Sequence, residues 1–235
     1  MNVLGIETSG QTCSVAVVNE EKLLAEKSMK GPRIHSIRLI PLIQEVINDA
    51  GLEVGQLQGV AVSYGPGSFT GIRIGVATAK IIAQVLDIPV VGVPSLEVLA
   101  QPLMGSARLV CPLVTARKGE VYAALYDTSG DMPVIVFGPA ALELDQLVGL
   151  VRSTRRPFLF VGEAARSCRE FLRRQLGTVP DLAPEALHDP RGAVVAELGL
   201  HRLKDGKGSR AEELVPEYVR LSSAEANWLK RNQGE

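Results

Sequence analysis

Two turns hold the residues best suited to chemistry. Glu7-Thr8-Ser9-Gly10 offers a carboxylate, two hydroxyls and a flexible backbone between two apolar runs, and such a turn can hold a phosphate through its backbone N–H groups. The same residues also make an ordinary hairpin turn. Gly65-Pro66-Gly67-Ser68-Phe69-Thr70-Gly71-Ile72-Arg73 follows a strand-like run and opens a helical one, where free N–H groups and the positive end of the helix dipole favour an anion. Its glycines at 65, 67 and 71 match neither G-x-x-x-x-G-K-[ST] nor G-x-G-x-x-G. A Pro-Gly turn with Ser68 or Thr70 capping the helix explains most of these residues without a ligand. Glu7, Thr8, Ser9, Gly65, Gly67 and Ser68 are thus candidate phosphate-holding residues, with turn and cap as the competing account.

Other catalytic signatures are missing. His35, His188 and His201 form no H-E-x-x-H or H-x-x-x-H, and no cysteine is spaced to join them. No metal site is legible, and each histidine reads as a surface or capping residue. G-x-S-x-G is absent too. Cys13, Cys111 and Cys168 are odd in number and lack a C-x-x-C pair, which argues against a disulfide scaffold. Between Val151 and Gln175 seven arginines (152, 155, 156, 166, 169, 173 and 174) face two acids, Glu163 and Glu170. On one helix Arg166, Arg169, Arg173 and Arg174 would share a face able to touch phosphates, or simply a solvated face.

The elements that must position these residues follow from composition and periodicity. The chain has 235 residues, 46% hydrophobic and 22% charged, with a net charge of −1. That composition suits a folded protein and excludes both disorder and a global basic field for nucleic acid. The N-terminus lacks a basic segment before a long apolar one, and the most apolar stretch, 81–93, is broken by Gln84, Asp87 and Pro89. Neither a signal peptide nor a membrane span is expected, and the location reads as cytoplasmic.

Apolar runs predict strands at 3–7, 14–18 and 23–26 in an antiparallel meander, then a helix over 34–50 passing through Pro41. Strand 58–63, helix 70–86, strand 90–93 and helix 95–103 follow, an alternation that implies parallel pairing. The second half repeats this order with strands 109–115, 121–126 and 134–137, helix 144–152, strand 157–161, and helices 163–176 and 192–203. The expected fold is therefore α/β in two related lobes, 1–105 and 106–235, each a mixed sheet flanked by helices, with the last residues packing back on the first lobe. Within helix 70–86, Gly71, Gly75, Ala79 and Ala83 form a ridge of small side chains that another helix or sheet can approach closely, in this chain or in a second subunit.

The segments ETSG, CSVAVV, RIHSIRLIPLI, GPGSFTGIRIG, IPVVGVPSLEVLA and TARKGEVYAALY, and PEYVR near the end, in this order resemble the bacterial TsaB (YeaZ) family. The resemblance is dense over 1–126 and loose beyond. It implies the two-lobed fold of actin, sugar kinases and Hsp70. It further implies a non-catalytic subunit that works with TsaD and the ATPase TsaE to place a threonylcarbamoyl group on N6 of adenosine 37 in tRNAs reading codons that start with A. ATP and threonylcarbamoyl-adenylate would serve the complex, and the metal would sit on TsaD, with no cofactor on this chain. In TsaD relatives two histidines hold that metal, and Ser95 and Leu99 stand in the matching positions here. Glu7 replaces the usual Asp, and Thr115 replaces the Asp that precedes Ala-Arg, which makes any phosphate site vestigial. The resemblance places the interface with TsaD, or with a second copy in a homodimer, on the two long helices, at Ile34, Ile37, Arg38, Pro41, Thr70, Gly71, Ile74, Gly75, Thr78 and Ala79. The alternatives are an actin-like nucleotide-binding ATPase and a glycoprotease-like metallopeptidase, the latter opposed by the missing histidines.

Overall fold

Hydrophobic runs too short for helices and too apolar for a solvated face build the first sheet. A computed structural model describes residues 1–31 and 34–219; Arg220 and the polar tail after it lie outside the described residues. Strands β1 (Val3–Glu7), β2 (Thr12–Val18) and β3 (Leu23–Lys30) form the predicted antiparallel meander, with Leu4 opposite Val17 and Glu7 opposite Ser14. The Asn19 side chain closes the second turn by accepting from the Glu21 and Lys22 N–H groups, each at 2.9 Å. Strands β4 (Gly59–Gly65) and β5 (Val90–Pro94) add in parallel, giving the order β3-β2-β1-β4-β5. Strand β3 runs on to Lys30, four residues beyond the predicted end, because its ladder with β2 continues to Thr12.

Both β1 and β2 are buried along their whole length, since helices cover the two faces of the sheet. On one face Leu4, Ile6, Val15, Val60 and Val62 meet α1 (Ile34–Asp49) and α2 (Phe69–Leu86). On the other, Val3, Val18, Ala61 and Val91 meet α7 (Gly192–Lys204). Helix α7 lies so close that a side chain at Gly5 would run into the Ala196 backbone nitrogen at 2.6 Å. The expected second lobe therefore divides. Residues from Gly192 onward pack on the first sheet, because α7 needs the apolar face that β1, β4 and β5 leave open.

The second sheet, in the order β8-β7-β6-β9, comprises β6 (Leu109–Arg117), β7 (Glu120–Asp127), β8 (Val134–Glu143) and β9 (Phe158–Val161). Its core receives Leu147 and Val148 of α4 (Leu144–Ser153), Ala164 and Ala165 of α5 (Glu163–Ser167) and Leu172 of α6 (Arg169–Leu176). The single helix predicted over 163–176 is thus broken at Cys168, where each part turns its own apolar side to the sheet. The shared arginine face is broken with it. Helix α3 (Ser95–Ala100) is shorter than predicted and ends in a 3-10 turn. Its Leu96 and Leu99 pack between the sheets against Val110, Tyr126 and Val161, which joins the lobes through an apolar core.

Candidate functional site

The β1–β2 turn and the start of α2 come together where the lobes meet. Glu7 ends β1 with no exposed surface. Its Oε1 accepts from both the N–H and the Oγ of Ser9, each at 2.6 Å, and its Oε2 has no partner among the described residues. Burial pushes the Glu7 carboxyl above its usual range, against the lowering effect of those hydrogen bonds. Cys13 is pushed up to about 11, first by its own burial and then by the Glu7 charge.

The glycine-rich segment is spent on packing. The Ser68 N–H donates to the Ser9 carbonyl at 2.7 Å, and a side chain at Gly67 would overlap that same oxygen. Ser68 caps α2 by accepting from the Gly71 N–H at 3.2 Å. Gly65 holds a φ of 133°, with the Glu217 carbonyl where a side chain would stand. The turn-and-cap account fits Gly65, Gly67 and Ser68: the Ser68 N–H is taken by the Ser9 carbonyl, its Oγ by the Gly71 N–H, and the two glycines let the Glu217 and Ser9 carbonyls come close.

Between the lobes lies a pocket of about 50 Å³, lined in part by Ser9, Gly10, Lys30, Ser95, Glu163 and Asp189. Cofactor sites generally measure about 300–1,000 Å³, so this one is far too small for a nucleotide. Its walls are tied to one another. Thr115 donates to Glu163 from its N–H at 2.6 Å and from Oγ1 at 2.9 Å. Asp189 pairs with Lys30 of β3 and lies 3.8 Å from Arg166 of α5, which also pairs with Glu185. This chain of ions links β3 of the first lobe to α5 of the second along the pocket wall. Ser95 Oγ lies 2.8 Å from Ser63 Oγ, and Leu99 is buried, so neither offers a metal ligand.

Sequence reasoning missed Lys30, Glu163, Arg166 and Asp189 as pocket residues, because they come from three separate segments, with Glu163 and Arg166 together on α5, and share no motif. His188 needs correction: it is 1% exposed, and its ring nitrogens lie 2.9 Å from the Gly162 carbonyl and 3.0 Å from the Ala183 carbonyl. It fastens the connection into α7 and is neither a surface nor a capping residue. The arginine-rich stretch 152–174 is largely neutralised in place. Arg173 and Arg174 hold Glu170, pulling its carboxyl down to about 2, and Arg156 holds Asp127. Of the seven, only Arg155 and Arg169 lack a hydrogen-bonding or ion-pair partner among the described residues, a thin basis for a tRNA contact.

The two long helices separate the proposed interface residues into two sets. Gly71, Gly75, Thr78 and Ala79 face inward and are buried: a side chain at Gly75 would overlap Thr8 Oγ1, and one at Gly71 would overlap the Thr8 carbonyl. The small-residue ridge is therefore the seat of α2 on the β1–β2 turn. The outward residues are Ile37 and Pro41 of α1 and Thr70 of α2, with Ile34, Arg38 and Ile74 half-buried beside them. To these the structure adds Ile40, Ile81 and Val85, exposed by 62%, 61% and 77%. By length and composition α2 would suit a bilayer, but its inner face is committed to the sheet.

A family model described as TsaD: tRNA N6-adenosine threonylcarbamoyltransferase matches residues 26–228. Over 230 residues the chain is 34% identical to the tRNA threonylcarbamoyladenosine biosynthesis protein TsaB of Bacillus subtilis, covering 98% of this chain and 99% of that one. The chain belongs to the TsaB family. The TsaB of Escherichia coli is 36% identical over 128 residues, 54% of this chain and 55% of that one. YeaZ from Pseudomonas aeruginosa superposes with a TM-score of 0.80 at 26% identity, covering 92% of this chain and 99% of that one. A ROK hexokinase from Thermus thermophilus superposes at 0.51 with 13% identity, covering 87% and 100%, a likeness of fold alone. The chain thus shares a two-lobed fold with that hexokinase, with a small pocket between its lobes.

Proposed function

We propose that this chain serves tRNA threonylcarbamoyladenosine biosynthesis as a non-catalytic subunit. It supports transfer of the threonylcarbamoyl group to N6 of adenosine 37 by docking a TsaD-family partner on the outer face of α1 and α2, and it acts with TsaE. The observation that carries this reading is the division of α2: one face is consumed by the sheet, and the other leaves Ile81 and Val85 in water, as neighbouring α1 leaves Ile37 and Ile40. Large apolar side chains concentrated on the outer sides of two neighbouring helices are what a partner surface would cover. The cleft supports the same reading. Its pocket of about 50 Å³ is too small for a nucleotide, and its hydroxyls and ions bond to one another. No imidazole stands at positions 95 and 99, so a partner would supply the chemistry.

The test is co-purification of the chain with the TsaD-family protein of the same cell, alongside calorimetric titration of the isolated chain with ATP. Ile81→Glu should abolish the complex while leaving the thermal stability of the isolated chain unchanged, and ATP should give no heat of binding. Persistence of the complex in Ile81→Glu, or micromolar ATP binding with turnover by the isolated chain, would overturn the reading.

A further inference from the structure

The PEYVR match is explained by none of the chemistry above, yet the structure gives its described part a definite place. Residues 209–219 leave α7 and run back along α2 as a strap. At its start Ser209 exchanges backbone hydrogen bonds with Val90, at 2.9 and 3.1 Å, on the outer edge of β5. Ala211 and Leu214 are buried in the first core. Lys80 of α2 donates to the carbonyls of Glu212 at 3.3 Å and Leu214 at 2.9 Å. The Glu217 N–H donates to the Tyr64 carbonyl at 2.9 Å. At the other end Arg73 Nε donates to the Tyr218 hydroxyl at 2.8 Å. The Arg73 guanidinium lies 3.7 Å from the Phe69 ring centre, and the two aromatic rings are 5.2 Å apart.

This placement gives the outer face of α2 two borders. At 100° per residue, Phe69, Arg73 and Lys80 lie toward one side of the exposed face, and these are the residues that hold the strap. Gly71 lies toward the other side, next to His35 of α1. The exposed ridge of Arg73, Ala77 and Ile81 therefore runs between α1 and the strap. Val215 and Tyr218 on the strap are 65% and 44% exposed. With Ile37 and Ile40 on α1 and Phe69, Ile81 and Val85 on α2, seven of the fourteen exposed large apolar side chains described belong to this one face. The strap's charge is acidic. Glu212 and Glu213 are exposed, with no cation at ion-pair distance among the described residues.

We propose that the strap 209–219 is a third element of the docking face, presenting Val215 and Tyr218 to an apolar strip on a partner protein whose adjoining residues are basic. This rests on the reading of the α1–α2 face as the partner surface. Tyr218 has the form of an interface anchor: an aromatic ring held by a tilted contact with Phe69 and by the hydrogen bond from Arg73 loses little freedom on binding. Glu212 and Glu213 at the border select a basic strip by charge complementarity and steer its approach. A second copy of this chain meets that requirement poorly, because Arg73 and Lys80 already hold the strap in place, and Arg210 is the strap's one cation against Glu212, Glu213 and Glu217.

The experiment measures affinity of the full chain for the TsaD-family partner at low and high salt, with oligomeric state and thermal stability recorded for each variant. Val215→Glu should weaken the complex about tenfold or more without changing stability, since Val215 is in water. Tyr218→Ala should weaken the complex likewise, and Tyr218→Phe should keep most of the affinity by keeping the ring contact with Phe69. Reversing Glu212 and Glu213 to Lys should weaken binding at low salt, with the difference shrinking as salt rises. If Ile81→Glu breaks the complex while Val215→Glu and Tyr218→Ala do not, the strap proposal falls and the α1–α2 reading stands. If Ile81→Glu has no effect, both fall. Strap variants that alter only self-association would also overturn the proposal.

Discussion

Gly75→Ala, a single added methyl, distinguishes the two roles open to the small-residue ridge of α2. In the structure the new Cβ overlaps Thr8 Oγ1 and lies 3.4 Å from Thr8 Cβ and 3.5 Å from Val62 Cγ2. Only the hydroxyl is intolerably close, so Thr8 must rotate or α2 must shift. Rotation breaks the bond from Thr8 Oγ1 to the Gly71 carbonyl, 2.8 Å and buried, at about 1 kcal/mol. Overpacking adds about 1–3 kcal/mol, and the better helix propensity of Ala returns about 1 kcal/mol. The expected net loss is about 1–3 kcal/mol, a fall in Tm of about 2–12 °C for a chain of this size. Thr8→Ala removes the obstructing oxygen and leaves ordinary contacts, so in that background Gly75→Ala should be neutral or stabilising by up to about 1 kcal/mol. Urea denaturation of the four proteins measures a coupling of about 1–4 kcal/mol, above the additivity error of about 0.5 kcal/mol. Equal effects of Gly75→Ala in both backgrounds, or none in the wild type, would refute the inward placement. Loss of a partner in Gly75→Ala would accordingly report a disturbed α2 seat and no direct contact.

Two further outcomes follow from buried charge. Burial holds the Glu7 carboxyl above its usual range, so its contribution to stability is full below the unfolded-state value of about 4.3 and declines as pH rises through the folded-state value. Glu7→Gln keeps an Oε1 acceptor for Ser9 but cannot ionise. The stability of the wild type relative to this variant should therefore fall from pH 4.5 toward pH 8, and a flat difference by thermal denaturation would contradict the argument. Arg202 of α7 holds Glu97 of α3 with bonds of 2.8 and 2.7 Å, largely out of water. Arg202→Met should cost about 3 kcal/mol by leaving Glu97 unpaired, and the pair Glu97→Leu with Arg202→Met should recover most of it; equal losses in single and double variants would argue against this.

Much of the fold was legible because its strands and helices bury one continuous apolar face, which leaves a period in the chain. The meander from Val3 to Glu26, the helix through Pro41 and the cap at Ser68 all follow from local pattern. The break at Cys168 did not, because α5 and α6 each have a helical pattern and only the sheet beneath them sets the angle between them. Helix α7 read correctly as a helix but in the wrong lobe, since periodicity tells that a face is buried and never against what.

The site divides in the same way. Residue type alone marked Glu7, Thr8 and Ser9 at one turn and Gly67 and Ser68 at a separate helix start, and the missing histidines at positions 95 and 99 already argued against metal chemistry on this chain. Tertiary structure brought the two together and turned them on one another: the Ser68 N–H donates to the Ser9 carbonyl, and Lys30, Asp189 and Arg166 form linked ion pairs along the pocket wall. It decided too that Gly75 and Ala79 point inward, so that the face left for a partner is Ile37, Ile40, Ile81 and Val85, with Tyr218 brought beside it from 145 residues beyond Arg73. A helix's own sequence fixes which residues share a side. Only the sheet, by taking the side where small residues let it come closest, determines which side remains for another protein.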